Sequence, residues 1–130
     1  MTKITLSFPI YSPIQKINLP TAIKKCYAIR INHVSFSFTK HQQKVLLLSI
    51  QGLDTNKYFD GEKSQNYTFI YFNNGNQNTI NYLNNITISD SNFPSRNIEY
   101  LDIITKIDDQ LDSSISKTNV LYISIDFFCD

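Results

Sequence analysis

The feature that most constrains this chain is the return, over and over, of short apolar stretches at strand period. Lys3 to Ile10 sets Ile4, Leu6, Phe8 and Ile10 on one face and Lys3, Thr5 and Ser7 on the other. That alternation is what a half-buried strand requires. Near the other end, Leu121, Ile123, Ile125 and Phe127 alternate with Tyr122, Ser124 and Asp126. Between them lie Cys26 to Phe38, Val45 to Ile50, Tyr67 to Phe72, Ile80 to Leu83 and Ile86 to Ser89. Short strands about ten residues apart predict an antiparallel sandwich or barrel rather than a parallel α/β fold. Within that class a jelly roll is expected. The expected fold is therefore all-β, an antiparallel jelly-roll sandwich of about eight strands with one helix before the last strand. At 130 residues the chain has the size of one domain, residues 1–130. A chain this long buries roughly two-thirds of its unfolded surface and needs no staple to fold.

Individual runs carry finer expectations. Tyr27, Ile29 and Ile31 share one face, while Val34, Phe36 and Phe38 share the opposite one. A continuous strand would turn half of these to water, so a bulge or break is predicted at Asn32-His33. Val45 to Ile50 is apolar throughout, the reading of a central strand covered on both faces. Pro9, Pro13 and Pro20 limit residues 9–24 to an edge strand or an extended arm. Thr39 to Lys44 reads as a turn, Leu53 to Gln65 as a polar loop around Asp60-Gly61, and Asn74-Gly75 as a hairpin turn. Tyr100, Ile103, Ile104, Ile107 and Leu111 recur at the spacing of one helical face, which predicts a helix from Ile98 to Leu111. Ser95 or Asn97 would cap it, after Pro94.

The chemistry-bearing residues point to no reaction. His33 and His41 are the only histidines and lack the further ligands a metal site needs. Cys26 with His33 suggests a thiol nucleophile, but no Asn or Asp can be assigned to orient the pair. Asp54-Thr55-Asn56 and Asp60-Gly61-Glu62 hold calcium-type oxygens without the alternation of a calcium loop, and read as solvated. Asp108, Asp109 and Asp112 fall at the end of the expected helix, where its dipole disfavours negative charge. Three Gly in the whole chain leave no phosphate loop or nucleophile elbow. No catalytic, cofactor or metal residue is therefore assigned, and the chain is not expected to be an enzyme. A net charge of +1, with aromatic residues not interleaved with basic ones, argues against nucleic acid. Cys26 and Cys129 read as free thiols, with Cys129 able to cross-link chains if exposed. Asn66-Tyr67-Thr68 and Asn85-Ile86-Thr87 are read as chance matches to the glycosylation pattern. The amino terminus lacks the apolar core of a signal peptide, and no run approaches the ~20 residues of a membrane span. Asn, Ile and Lys are abundant, which points to an A/T-rich genome.

One resemblance adds to this. Ile86-Thr87-Ile88-Ser89-Asp90-Ser91-Asn92-Phe93, followed by Tyr100-Leu101 and Ile103 to Leu111, resembles a strand, turn and amphipathic helix common in viral structural proteins. Ser89 stands where that pattern has Pro, Ser91 where it has Gly, Phe93 where it has Tyr, and Ile107-Asp108 where it has Ile-Asn. Tyr27 to Ile31, Val34 to Phe38 and Leu48 to Leu53 are similar to the front strands of small jelly-roll proteins in virions of large DNA viruses, virophages and polinton-like viruses.

The resemblance implies a capsid-associated jelly roll, a minor capsid, penton or fibre-head component. It would be made in the host cytoplasm and carried in the virion. It implies other capsid proteins as partners and a homo-oligomeric state, with a host-surface glycan as ligand if the protein is a fibre head. The alternative is a β-sandwich binding module for a glycan or peptide, with Tyr58 and Phe59 as its aromatic platform.

Overall fold

A computed structural model of the chain describes residues 2–38, 45–54, 56–73, 79–83 and 95–130, and for Asp60 and residues 79–83 the backbone alone. The chain runs through β1 (Thr2–Ile10), β2 (Ile14–Ser37), β3 (Val45–Ile50), β4 (Asn56–Asp60), β5 (Lys63–Tyr67), β6 (Phe69–Phe72), β7 (Thr79–Leu83), β8 (Arg96–Ile107), β9 (Gln110–Leu111) and β10 (Leu121–Cys129). Every pairing between them is antiparallel. The main sheet has the order β1-β10-β2-β8-β3-β6, with β7 also paired to β2 and β9 folded back on β8. β4 and β5 form a separate hairpin. The class is the all-β antiparallel one that the strand spacing predicts.

β2 joins the two halves of the sheet. Residues 14–18 pair with β8, while the segment from Ala28 to Ser35 pairs with β10. Cys26 sits at the changeover, opposite Arg96 on β8 and Cys129 on β10. Just before it Lys25 takes φ 55, a left-handed conformation that costs an L-residue roughly 1–2 kcal/mol. Two contacts hold it: the Lys25 N–H donates to Asn97 Oδ1 at 3.1 Å, and the Lys25 carbonyl accepts from the Asp130 N–H at 3.2 Å. The sheet curls, and inward side chains from both halves meet in one core. Ile29, Ile31, Val34, Phe36, Ile123, Ile125 and Phe127 come from one half, Leu46, Leu48, Ile50, Leu101 and Ile103 from the other. Each such side chain contributes about 1.5–3 kcal/mol on burial.

The expected bulge is present. Ser124 faces His33 and Ile125 faces Ile31, so Asn32 is the extra residue. That one insertion lets Ile31 and Val34 both point inward, and both are buried. β3 is likewise covered on both faces. Leu46, Leu48 and Ile50 enter the main core, while Val45 and Leu47 pack outward against Tyr58, Tyr67 and Ile70.

Two expectations need correction. Residues 98–111 are not a helix, and no helix occurs among the described residues. Leu101, Ile103, Thr105 and Ile107 are buried at period two in β8, whereas Tyr100 and Ile104 face outward and are exposed. The Ile-rich composition of this stretch suits a pleated surface better than a helix. Asp108 and Asp109 accordingly do not end a helix. At φ 51 and 61 they form the two-residue turn from β8 to β9, with Ile107 opposite Gln110. The second correction concerns the polar loop. Asn56 to Tyr67 is a hairpin that turns at Gly61, where φ is 62. Polar strands form here because Tyr58 and Tyr67 anchor one face on β3. The turn at residues 39–44, the Asn74-Gly75 turn and the strand at residues 86–89 lie outside the described residues.

Candidate interaction surface

The β4–β5 hairpin lies over the outer face of β3 and β6. Val45 stands opposite Phe72, and Leu47 opposite Ile70, so these four side chains share that face. Tyr58 and Tyr67 close over them, their rings meeting edge to face at 6.2 Å. Phe72 lies 6.2 Å from the Tyr58 ring but remains 60% exposed. Phe59 points away from the sheet, 65% exposed, with Lys57 Nζ 5.3 Å from its ring. Of the two aromatic residues singled out from sequence, Phe59 is therefore open and Tyr58 is half-buried, beside the exposed Phe72.

Polar contacts fasten the hairpin to the sheet. Tyr67 Oη donates to Asp109, and it also meets Gln65 Oε1 at 2.7 Å. Lys106 Nζ lies 3.4 Å from Gln65 Oε1 and 4.0 Å from Asp109 Oδ1. Burial first, then the hydrogen bond to the Asp109 carboxylate, pushes the Tyr67 hydroxyl up, so it stays a neutral donor. Asp54 is similarly committed: its Oδ1 accepts from Ser49 Oγ at 2.8 Å and from Thr68 Oγ1 at 3.1 Å. Asn56 Nδ2 donates to the Thr68 carbonyl at 2.7 Å. Of the residues that looked calcium-like, Asp54 thus holds the turn after β3 and Asn56 contributes its amide nitrogen, while Glu62 is exposed; Thr55 and the Asp60 side chain lie outside the described residues.

Elsewhere on that outer face, large side chains of β2 and β8 are exposed. Ile14 on β2 stands opposite Ile104 on β8, and they are 61% and 36% exposed. Asn18 stands opposite Tyr100, whose ring carries Lys16 Nζ at 4.3 Å from its centre. Alongside, Gln51, Leu53, Arg96, Glu99, Tyr100 and Asp102 line a shallow groove of about 270 Å³.

The opposite outer face, of β1, β10 and β2, carries a polar row. Thr5, Asp126 and Arg30 lie in register across three strands. Asp126 is 1% exposed. Its Oδ2 accepts from Arg30 Nε at 2.9 Å and Nη2 at 2.7 Å, and its Oδ1 from Thr5 Oγ1 at 2.5 Å and Asn32 Nδ2 at 2.8 Å. Asn32 is the bulge residue, so the extra residue also delivers an amide to this carboxylate. Burial alone would raise the Asp126 carboxyl; donation from Thr5, Arg30 and Asn32, with the Arg30 charge, outweighs it and holds the group below its ordinary 3.8. Every oxygen is matched, so Asp126 acts as a cross-strand clamp and not as an acid.

The sequence-derived thiol pair does not assemble. His33 lies seven residues along β2 from Cys26, roughly 20 Å at strand rise. It is half-buried, opposite Ser124 and Leu83. Cys26 instead faces Cys129, and both are buried free thiols. Asp112 Oδ1 caps the turn after β9 by accepting from the Ser114 N–H at 2.7 Å. His41 lies outside the described residues. Among the described residues no cluster of three or more His, Cys, Asp or Glu is placed to hold a metal ion, and no helix is long and apolar enough to cross a membrane.

Sequence reasoning missed Asp126, Phe72 and the Ile14–Ile104 pair. Asp126 had a signal: one charge in Ile123 to Phe127 and one, Arg30, between Ile29 and Ile31 are what a cross-strand ion pair looks like. Comparison with protein-family models and with curated proteins finds no match for the chain.

Proposed function

We propose that this protein works by assembly, as a capsid-associated structural component of a virion that buries its sheet surfaces against other copies and other capsid proteins. The observation that carries the reading is the outer face of β2 and β8. There Ile14 and Ile104 stand in register and exposed, with Tyr100 four residues along β8 on the same face. Large apolar side chains paired on an exposed sheet face support a surface that meets a partner. β1 adds a nine-residue edge, paired only to β10 among the described strands, and such edges accept further strands. The virion assignment itself rests on the sequence resemblance, as does the inference that the protein is made in the host cytoplasm.

The test is solution mass by light scattering over a range of concentrations, with the wild type and an Ile14→Asp/Ile104→Asp variant. A closed oligomer in the wild type and a folded monomer in the variant are expected. A wild-type monomer throughout, with the chain absent from purified particles, would sink the proposal.

The exposed Phe59 and Phe72 support a second reading, a binding module for a glycan or peptide. On that reading a glycan or peptide array gives hits that Phe59→Ala and Phe72→Ala abolish, while Ile14→Asp leaves them unchanged.

A further inference from the structure

We propose that Cys26 and Cys129 form an intramolecular disulfide when the protein meets an oxidising environment, and that this bond latches the corner where the two halves of the sheet join. The inference stands apart from assembly and rests on the β2–β10 register. The two cysteines are direct cross-strand partners. Opposed residues of an antiparallel ladder have Cα atoms about 4.5–5.5 Å apart, inside the roughly 4.4–6.8 Å that a disulfide spans. Both side chains enter the same core cluster, Cys26 wholly buried and Cys129 5% exposed. Beside its partner, Cys26 Sγ donates to the Ala28 carbonyl at 3.4 Å.

The position gives the bond a consequence. Cys26 also pairs with Arg96, so the corner ties β2 to β10 and to β8 at one residue. It follows the left-handed Lys25 directly. The register shifts again between Phe128 and Cys129, and an irregular ladder opens locally more easily than a regular one. A covalent link there would enclose a loop of about 100 residues and restrict the unfolded chain strongly.

The chemistry assigns an order to the sulfurs. Burial first, then the adjacent Cys129, pushes the Cys26 thiol up to about 11, which makes it a poor first nucleophile. Cys129 is the more exposed residue of the two and is the entry point. On local opening it loses its proton and attacks a small-molecule disulfide, forming a mixed disulfide and releasing one small thiol. Cys26 then loses its proton and attacks the Cys129 sulfur, and the second small thiol leaves. Two protein thiols are oxidised, one external disulfide is reduced to two thiols, and the two protons end on those thiols.

The full chain, purified reduced, would be incubated with oxidised glutathione, then alkylated in denaturant without reductant and weighed. The expected product is a monomer lighter by two hydrogens that takes up no alkyl group, reverts with dithiothreitol, and has a higher urea midpoint than the reduced protein. Two alkyl groups after prolonged incubation, a persistent glutathione adduct, or a covalent dimer would each overturn the proposal. An unchanged midpoint would overturn the latch. Cys26→Ser is expected to accumulate the adduct on Cys129; its absence from a folded variant would overturn the entry point.

Discussion

Asp126 is the residue on which most of the outer polar row depends. Removing its charge leaves the Arg30 guanidinium without its carboxylate and takes the Thr5 and Asn32 donors' best acceptor. Arg30 is 24% exposed at its side chain, so water recovers part of the loss. Asp126→Asn is therefore expected to cost about 2 kcal/mol near neutral pH, below the 3–5 kcal/mol typical of breaking a fully buried pair. The sign with pH follows from the depressed carboxyl. Its folded value lies below 3.8, so the stabilisation is complete above that value and is lost as pH falls through the folded one. Urea midpoints of wild type and Asp126→Asn should differ near pH 7 and converge as the acid limb is entered below about pH 4. Parallel curves across that range would mean that the carboxylate contributes nothing beyond its shape.

β8 is the element where sequence and structure part. The stretch from β8 to β9 satisfies two periods at once: Tyr100, Ile103, Ile104, Ile107 and Leu111 fit a helical face, while the buried Leu101, Ile103, Thr105 and Ile107 fit a strand. The two readings disagree about Ile104. A helix would bury it beside Ile103, whereas β8 buries Ile103 and leaves Ile104 on the open face. Ile103→Ala is expected to cost about 2–4 kcal/mol through the cavity it leaves, and Ile104→Ala about 0.5 kcal/mol or less. Equal costs in urea unfolding would return the segment to a helix. Where apolar and polar residues alternate strictly and the run is short, as in β1 and β10, the strand was legible without ambiguity. The phase slip from Ile31 to Val34 was legible for the same reason, since only an extra residue reconciles two opposed faces. The β4–β5 hairpin was not legible. Its strands are polar, and what fixes them is contact of Tyr58 and Tyr67 with Val45 and Leu47, residues distant along the chain. The interaction surface was half legible: an exposed Phe59 follows from a polar loop, but an Ile14 opposite Ile104 follows only from the register of two distant strands.

At the scale of the molecule, stability is distributed unevenly, and the topology says where. β10 lies between β1 and β2, pairing residues from the two ends of the sequence, and its inward side chains from Leu121 to Phe127 are buried to 1% exposure or less. That pairing cannot form until the long intervening loop closes, so folding is expected in milliseconds to seconds, as for non-local β folds. The β4–β5 hairpin is the opposite case, a two-stranded sheet of its own, held by two tyrosines and by the contacts of Tyr67 and Lys106 with Asp109 and Gln65. An isolated hairpin is marginal in water, so this one can lift without unfolding the rest. Native-state hydrogen exchange should then place the interior amides of β10 and its β2 partner at the free energy of global unfolding. The hairpin amides should exchange at least tenfold faster, through an opening that a low concentration of urea barely alters. Tyr67→Phe removes the Oη contacts with Asp109 and Gln65, and it should speed hairpin exchange alone. Uniform protection across both regions would make the hairpin part of the cooperative core. Local lifting would instead bare Val45 and Leu47 beside the already exposed Phe72, enlarging the apolar surface this protein can offer a partner.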